Sequence, residues 1–398
     1  MMSGHGDSSL CPPTKDVIEP GSHQGLQMQG SLKDRGIVSE PPFTRDHSRQ
    51  RFPAGLHSRD GFLMSDFAIE LQTALSAVRQ ASQLCRAVQT TITSEVLDKR
   101  DQSPVTIADF GSQAVVCRSL GDQFPDDPII AEEDAAALRW PENAAFLSAV
   151  RDQVRHLGIQ ADADDVCGWI DRGGAMGFSR RFWTLDPIDG TKGFLRKGQY
   201  AVSLALIVDS QIEIGVVGCP NLPVSEAEGS PLGTLFYAVR GHGAFVQPLD
   251  IDADPQPVRV SSTTDPALAR FCESVESGHS AHNESASVAK RLGLTATPVR
   301  MDSQAKYATV ARGFADAYLR LPTKTGYFEK IWDHAGGVAV VEAAGGRVTD
   351  INGKPLDFSR GRELNQNRGV IVTNGHLHDI IVAAVQAVLA SDAAANQS

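Results

Sequence analysis

The segment Asp186-Pro187-Ile188-Asp189-Gly190-Thr191-Lys192-Gly193-Phe194 places two carboxylates three residues apart, directly after an apolar run at 182–185. A turn at Pro187 makes Asp186 and Asp189 converge instead of alternating faces, and the Ile188 carbonyl between them is a further hard oxygen donor. Gly190-Thr191 opens a helix or tight turn whose free N–H groups can receive a phosphate oxygen. A plain Asx-type turn at Asp189-Gly190 would use the same residues without any chemistry. Three further acidic segments have a related form. Glu132-Glu133 close the apolar run Ile129-Ile130-Ala131, where a solvated strand-to-loop boundary is the ordinary explanation. Asp333, in Ile331-Trp332-Asp333-His334-Ala335-Gly336-Gly337, opens a small-residue helix, where an N-cap or first-turn acid is expected on dipole grounds alone. Asp109 follows Asp101-Gln102-Ser103-Pro104-Val105-Thr106-Ile107-Ala108 near another helix start. Each has an unremarkable explanation by itself. Jointly, acids at the ends of four separate elements describe a carboxylate cage for hard divalent cations, Mg²⁺ first among them.

The elements that must position these acids can be read from periodicity. Ser65 suits an N-cap, and Phe67, Leu71, Ala74, Leu75 and Val78 share one helical face. A second helix is expected over 106–120 and a short buried strand over 128–131. Residues 134–181, Gly-rich at Gly173, Gly174 and Gly177, read as an irregular, mobile insertion. Strands are expected over 182–185, 202–208, 213–217 and 234–239, with Pro-rich loops over 218–232 and 248–257. Then follow a helix over 304–313, a strand over 317–321, a helix over 332–344 stopped by Gly345-Gly346, a strand over 369–373 and a helix over 376–389. This is the pattern of an α+β or layered α/β fold of two lobes, not a barrel. The expected organisation is a disordered extension over 1–63, an N-terminal α+β lobe over 64–250 carrying most of the acids, and a C-terminal α/β lobe over 251–398.

The 398 residues contain 37 basic and 48 acidic side chains, a net charge of −11. That balance argues against a nucleic-acid polymer or an anionic membrane surface as partner, and no apolar run reaches the ~18–20 residues of a membrane span. It does not exclude a phosphorylated small molecule, because acids reach phosphate through divalent cations. Residues 1–63 hold seven basic and seven acidic side chains, so the whole excess lies beyond them. Their low apolar density cannot offset the entropy of ordering. They lack the apolar stretch of a secretory signal and carry too many acids for a transit peptide, leaving a regulatory tail or a translation start at Met64. The six cysteines are scattered without a CxxC pair, which fits reduced thiols and a cytoplasmic protein.

Ser103-Pro104-Val105-Thr106 with Asp109, Glu132-Glu133, the segment from Asp186 to Phe194, and Trp332-Asp333 with Gly345-Gly346 resemble the metal-dependent, lithium-sensitive phosphatase superfamily that includes inositol monophosphatase. Trp183-Thr184-Leu185-Asp186 through Thr191-Lys192-Gly193-Phe194-Leu195-Arg196 is similar to its 3'(2'),5'-bisphosphate nucleotidase branch. So are Glu276-Ser277-Gly278-His279-Ser280-Ala281-His282, Asp302-Ser303-Gln304-Ala305-Lys306-Tyr307 and Tyr318-Leu319-Arg320-Leu321-Pro322. His282-Asn283 departs from the His-Asp of that branch. The resemblance implies a two-lobe αβαβα sandwich of the inositol monophosphatase and fructose-1,6-bisphosphatase type. It implies a site holding about two to three Mg²⁺ ions. Glu132, Asp186 and the Ile188 carbonyl would hold one ion; Asp186, Asp189 and Asp333 a second. Asp109, with Glu132, would position a weaker third and the attacking water, to which Thr191 would hydrogen-bond. Gly190, Thr191, His279, Ser303, Lys306, Arg320 and Asp333 would bind substrate. From the residues alone, Arg320 could equally be a strand-end residue paired with an acid and His279 a loop histidine, while Glu329-Lys330 and Arg180-Arg181 read as solvated or structural. The implied activity is removal of the 3'-phosphate from adenosine 3',5'-bisphosphate, with 3'-phosphoadenylyl sulfate as a second substrate, by a monomer or weak oligomer. An inositol (poly)phosphate 1-phosphatase and a non-catalytic nucleotide sensor are the alternatives.

Overall fold

The computed structural model describes residues 67–92, 104–251, 253–275, 282–322 and 326–395. The chain divides into Met1–Arg51 and Phe52–Ser398, and every described residue belongs to the second unit. The expected disorder over 1–63, the Ser65 cap and the role of His279 lie outside the described residues.

Two long helices, α1 (Ala68–Thr90) and α2 (Pro104–Gln123), lie against each other and against one face of a seven-stranded sheet. Its strands follow chain order: β1 (Ile129–Ala131), β2 (Arg181–Asp189), β3 (Ala201–Val208), β4 (Gln211–Pro223), β5 (Leu232–Val239), β6 (Gly243–Pro248) and β7 (Gln256–Val258). Only β1 and β2 run parallel. Helices α3 (Ala144–His156) and α4 (Ala163–Asp171) fill the β1–β2 crossover, and α5 (Thr191–Leu195) follows β2. The second sheet has five strands in the order β11-β12-β10-β8-β9. These are β8 (Phe271–Glu273), β9 (Val299–Arg300), β10 (Ala317–Arg320), β11 (Arg347–Thr349) and β12 (Val370–Thr373). Helices α6 (His282–Leu292), α7 (Ala305–Ala311), α8 (Ala335–Ala343) and α9 (His378–Ala395) complete the chain.

Strand periodicity separates three cores. Trp183, Leu185, Leu204 and Leu206 pack with α1 and α2, while the alternate residues Phe182, Ala205 and Ile207 pack with Tyr307, Trp332 and Val338 between the sheets. In the second sheet Tyr318 faces that middle core, and Ala317 and Leu319 face Ile381 and Val385 of α9. The result is helices, sheet, helices, sheet, helices: the expected αβαβα sandwich. Among the described residues no helix is long and apolar enough to cross a membrane.

The expected mobile insertion over 134–181 is wrong. Phe146, Val150 and Val154 form the buried stripe of α3, and Asp162 and Asp165 exchange reciprocal 2.9 Å bonds in a capping box that starts α4. The glycines at its end obscured both signals. β4 also continues through the expected loop to Pro223, because a register irregularity between Cys219 and Pro223 removes Pro220 from regular pairing before Pro223 pairs with Leu232. β6 and β7 were not expected, and β7 overlaps the expected loop over 248–257.

Candidate active site

The acids converge where the middle helices meet the first sheet. Ala131 of β1 pairs in parallel with Leu185 of β2, so Glu132 emerges beside Asp186. Asp186 opposes Ser203 on β3, yet Asp189 opposes Ala201: three steps on β2 match two on β3. That extra residue is a β-bulge, and it brings side chains of odd separation to one cavity. The expected Pro turn is therefore a strand irregularity. Pro187 is tolerated because β1 pairs only as far as Leu185, and the Pro187 carbonyl accepts a 2.9 Å bond from Ser112 of α2. Gln113, the next residue on α2, binds the Glu133 amide and carbonyl at 3.0 and 2.7 Å. One helix thus holds both the bulge and the end of β1.

Gly190 ends the bulge at φ +88°, and a Cβ there would stand 2.8 Å from the Ser303 Cβ, so glycine is required on two counts. Asp333 lies in the turn before α8, two residues ahead of the helix, with His334 at its N-cap position. Gly336 lets α8 settle onto β3: a Cβ there would be 2.3 Å from the Ser203 hydroxyl. Gln304 ties the pieces together. Its amide donates to Asp189 Oδ2 at 2.5 Å, and its side chain bonds Ser203, the Gly337 amide and the Trp332 carbonyl at 2.9–3.0 Å.

A cavity of about 390 Å³ results, lined by Glu132, Asp186, Ile188, Asp189, Gly190, Thr191, Ser303, Lys306, Arg320 and Asp333. Asp302, Tyr307, Tyr318 and Tyr327 also line it. Asp109 does not; it is buried behind Glu132 and Glu133. The electrostatics are those of charges forced together. Burial, then Glu132, Asp189 and Asp333, push the Asp186 carboxyl well above the carboxylate range, and Oδ1 of that residue has no hydrogen-bond partner. Glu132 keeps an exposed edge, yet desolvation and the charges of Asp333, Glu133 and Asp189 push it up to about 8. Asp333 is pushed to about 6 by burial, against the pull of Arg320 and His334. Desolvation raises Asp109 too, with Glu133 and Glu132 adding to it. An orphaned buried oxygen among mutually repelling carboxylates fits a divalent cation, whose charge would relieve both costs.

Two cations line the same cavity. Lys306, 4% exposed, lies 4.8 Å over the Tyr318 ring, and burial lowers its pKa. Arg320, at the end of β10, pairs with Glu329 at 2.7 Å and approaches Asp333 at 3.5 Å. It is thus both a cavity residue and a strand-end residue paired with acids. Glu329 is not a solvated side chain: burial alone would raise it, but the bond with His334 and the charge of Arg320 hold it at about 2. Tyr307 bonds His334 at 2.7 Å on the far side of that ring.

The inositol monophosphatase family model matches residues 64–390. The chain belongs to the inositol monophosphatase family. That family consists of metal-dependent phosphatases, in keeping with the carboxylate cluster. Among curated relatives, the chain is 46% identical over 345 residues to a 3'(2'),5'-bisphosphate nucleotidase of Schizosaccharomyces pombe, covering 82% of this chain and 97% of that protein. It is 43% identical over 340 residues to the protein of the same name from Emericella nidulans, covering 79% and 96%. Over 336 residues it is 43% identical to 3',5'-bisphosphate nucleotidase 2 of Arabidopsis thaliana, covering 80% and 96%. Among solved structures, the Thermotoga maritima IMPase superposes with a TM-score of 0.54 at 21% identity, covering 81% of this chain and 99% of that one. An inositol monophosphatase from Anabaena gives 0.52 at 20%, covering 81% and 97%. At those identities the likeness establishes the fold of the family and nothing finer.

Within this family fold, Gln304 and Glu329 are the supporting residues that sequence reading missed. Gln304 lies within the segment Asp302–Tyr307, but its partners Ser203, Trp332 and Gly337 are remote in sequence. Glu329 gave only the weak signal of an acid nine residues beyond a strand-end arginine.

Proposed function

We propose that this chain is a phosphoric monoester hydrolase that removes the 3'-phosphate of adenosine 3',5'-bisphosphate, yielding AMP and phosphate, and that it converts 3'-phosphoadenylyl sulfate to adenylyl sulfate in the same way. The observation that carries the reading is one cavity lined both by the acids Glu132, Asp186, Asp189 and Asp333 and by the cations Lys306 and Arg320. The relatives named as bisphosphate nucleotidases, aligned over most of both chains, favour the nucleotide over an inositol phosphate.

Glu132, Asp186, the Ile188 carbonyl, Asp189 and Asp333 would hold Mg²⁺, with Asp109 serving a weaker ion. The bound ions would neutralise the phosphate and lower the pKa of a water. The chain's own residues do the rest. Thr191, on the cavity wall, orients the attacking water, and Asp109, which does not reach the cavity, acts on it through its neighbour Glu132. The water oxygen bonds to phosphorus and gives up a proton to solvent, the bond to the ribose 3'-oxygen breaks, and that oxygen takes a proton from solvent and leaves as the hydroxyl of AMP. Lys306, Arg320 and Ser303 hold the second phosphate and the ribose side of the nucleotide. Lys306 acts as a point charge fixed by Tyr318, Arg320 as a fork fixed by Glu329. The described cysteines, Cys85, Cys117, Cys167, Cys219 and Cys272, are free and buried, which supports the cytoplasm as the proposed location.

The test is phosphate release with Mg²⁺ from the two nucleotides, inositol 1-phosphate and inositol 1,4-bisphosphate. Nucleotide turnover is expected to dominate, and Li⁺ and Ca²⁺ to inhibit, because the cage suits a small octahedral ion that retains waters. Fast turnover of an inositol phosphate beside negligible nucleotide turnover would reverse the substrate assignment. An Asp186→Asn protein with native turnover would remove the basis for the carboxylate cage.

A further inference from the structure

Arg362 belongs to the irregular stretch between β11 and β12, which carries none of the expected site residues. Its main chain is pinned beneath the Asp333 turn: the Ile331 amide donates to the Arg362 carbonyl at 3.1 Å, and the Leu364 amide to the Glu329 carbonyl at 2.8 Å. Between these bonds Lys330 pairs with Glu363 at 2.5 Å. From this anchored position the guanidinium reaches across to the first sheet. One nitrogen donates to the Ala131 carbonyl at 2.7 Å, and the other lies 3.4 Å from the Ala175 carbonyl. The same group lies over the Trp332 ring, 4.5 Å from its centroid.

The two contacted positions explain why this matters. Ala131 immediately precedes Glu132, and Trp332 immediately precedes Asp333. Both carboxylates line the same cavity, where like charges held close together repel. Glu132 follows an edge strand of three residues whose outer side pairs, among the described residues, only with the short 173–175 segment, a weak anchor against such repulsion. Gln113 restrains the following residue from the α2 side, while Arg362 links the strand end to the Asp333 turn. A guanidinium suits this role because its rigid fork can serve two carbonyls while its face stacks on an indole.

We infer that Arg362 is a positioning residue that clamps the Glu132 strand end to the Asp333 turn, and so sets the affinity of the site for divalent cations. The inference rests on the proposed metal-dependent function and adds to it a residue that touches neither cation nor substrate.

The test is calorimetric titration of Mg²⁺ into the native chain, Asp186→Asn, Arg362→Met and Arg362→Lys, with the Mg²⁺ dependence of nucleotide hydrolysis measured alongside. Substitutions behind metal ligands typically weaken binding about 10–100-fold, and Arg362→Met is expected within that range. Arg362→Lys, which keeps the charge without the fork, is expected to weaken binding about 10-fold. In both, the Mg²⁺ concentration giving half-maximal rate should rise while kcat at saturating Mg²⁺ stays near native. A merely structural role would lower the melting temperature and kcat and leave the half-saturating concentration unchanged. Native Mg²⁺ affinity in both folded variants would overturn the inference alone. If Arg362→Met fails to fold, Arg362→Lys decides. If the native chain binds Mg²⁺ no better than Asp186→Asn, the metal-site reading itself falls, and the inference with it.

Discussion

Replacing Asp333 by asparagine should strengthen the metal-free protein while disabling the enzyme. The Asp333 carboxyl is moved from its ordinary 3.8 up to about 6, with burial as the largest cause. Its side chain is 18% exposed, so solvent screens it little. A carboxyl raised in the folded state binds its proton there more tightly than in the unfolded chain. Its contribution to stability is therefore whole below about pH 4, falls as pH rises, and is fully lost above about pH 6. At 1.36 kcal/mol per unit, holding the ionised carboxylate costs the fold about 3 kcal/mol above that window. Asparagine keeps the shape, removes the charge, and leaves Arg320 its closer partner Glu329 at 2.7 Å. In EDTA, scanning calorimetry should show Asp333→Asn and native protein melting together near pH 4. Near pH 7 the variant should melt about 6 °C higher, at roughly 2 °C per kcal/mol for a domain of this size. Saturating Mg²⁺ should reverse the order, since native protein gains about 4.1 kcal/mol at a thousandfold excess over the dissociation constant and the variant has lost a ligand. The reasoning is refuted if the two proteins melt together near pH 7 without metal, or if the difference does not depend on pH.

Three other outcomes follow from the same geometry. Gly190→Ala combines a left-handed backbone with a Cβ 2.8 Å from Ser303, so a loss of about 1–3 kcal/mol is expected by thermal melting, together with at least tenfold lower turnover. Lys306→Met should raise KM for adenosine 3',5'-bisphosphate by about tenfold or more and alter KM for a simple phosphate monoester far less, because a buried charged contact is worth about 1.5–3 kcal/mol; equal effects on both would remove Lys306 from the second-phosphate site. Gln304→Leu strands the Gly337 amide and the Ser203 hydroxyl, both bonded to its carbonyl oxygen, and should cost about 2–5 kcal/mol in urea unfolding, with loss below 1 kcal/mol as the contrary result.

The layered fold and the four acidic segments were legible because both are written locally. Acids at strand and helix ends, a glycine at a left-handed turn and alternating apolar residues all report on their immediate surroundings. What was missed depends on distant partners. The helices over 144–171 are amphipathic, but the glycines beyond them outweighed the stripe Phe146, Val150, Val154. Glu329 reads as solvated or structural from the sequence, and only the fold decides for the second by placing Arg320 beside it, while Gln304 is ordinary in isolation although four groups converge on it. The convergence of Asp186 and Asp189 was foreseen with the wrong device. A turn and a bulge are alike in sequence, and only pairing with β3 distinguishes them.

The bulge in β2 also limits how this site can vary. A strand distributes its side chains by parity, even positions to one layer and odd positions to the next. The extra residue between Asp186 and Asp189 changes that parity once, at the point where the acids are needed. Without the bulge, a spacing of three would carry Asp189 into the opposite layer, among the apolar side chains of α1 and α2. Deleting one intervening residue would leave the acids two apart and in one layer by plain alternation, but would remove either the Pro187 carbonyl that Ser112 holds or the Ile188 unit that lines the cavity. The bulge thus admits two residues between acids that still share a layer, and a change of length there alters which backbone oxygens accompany them.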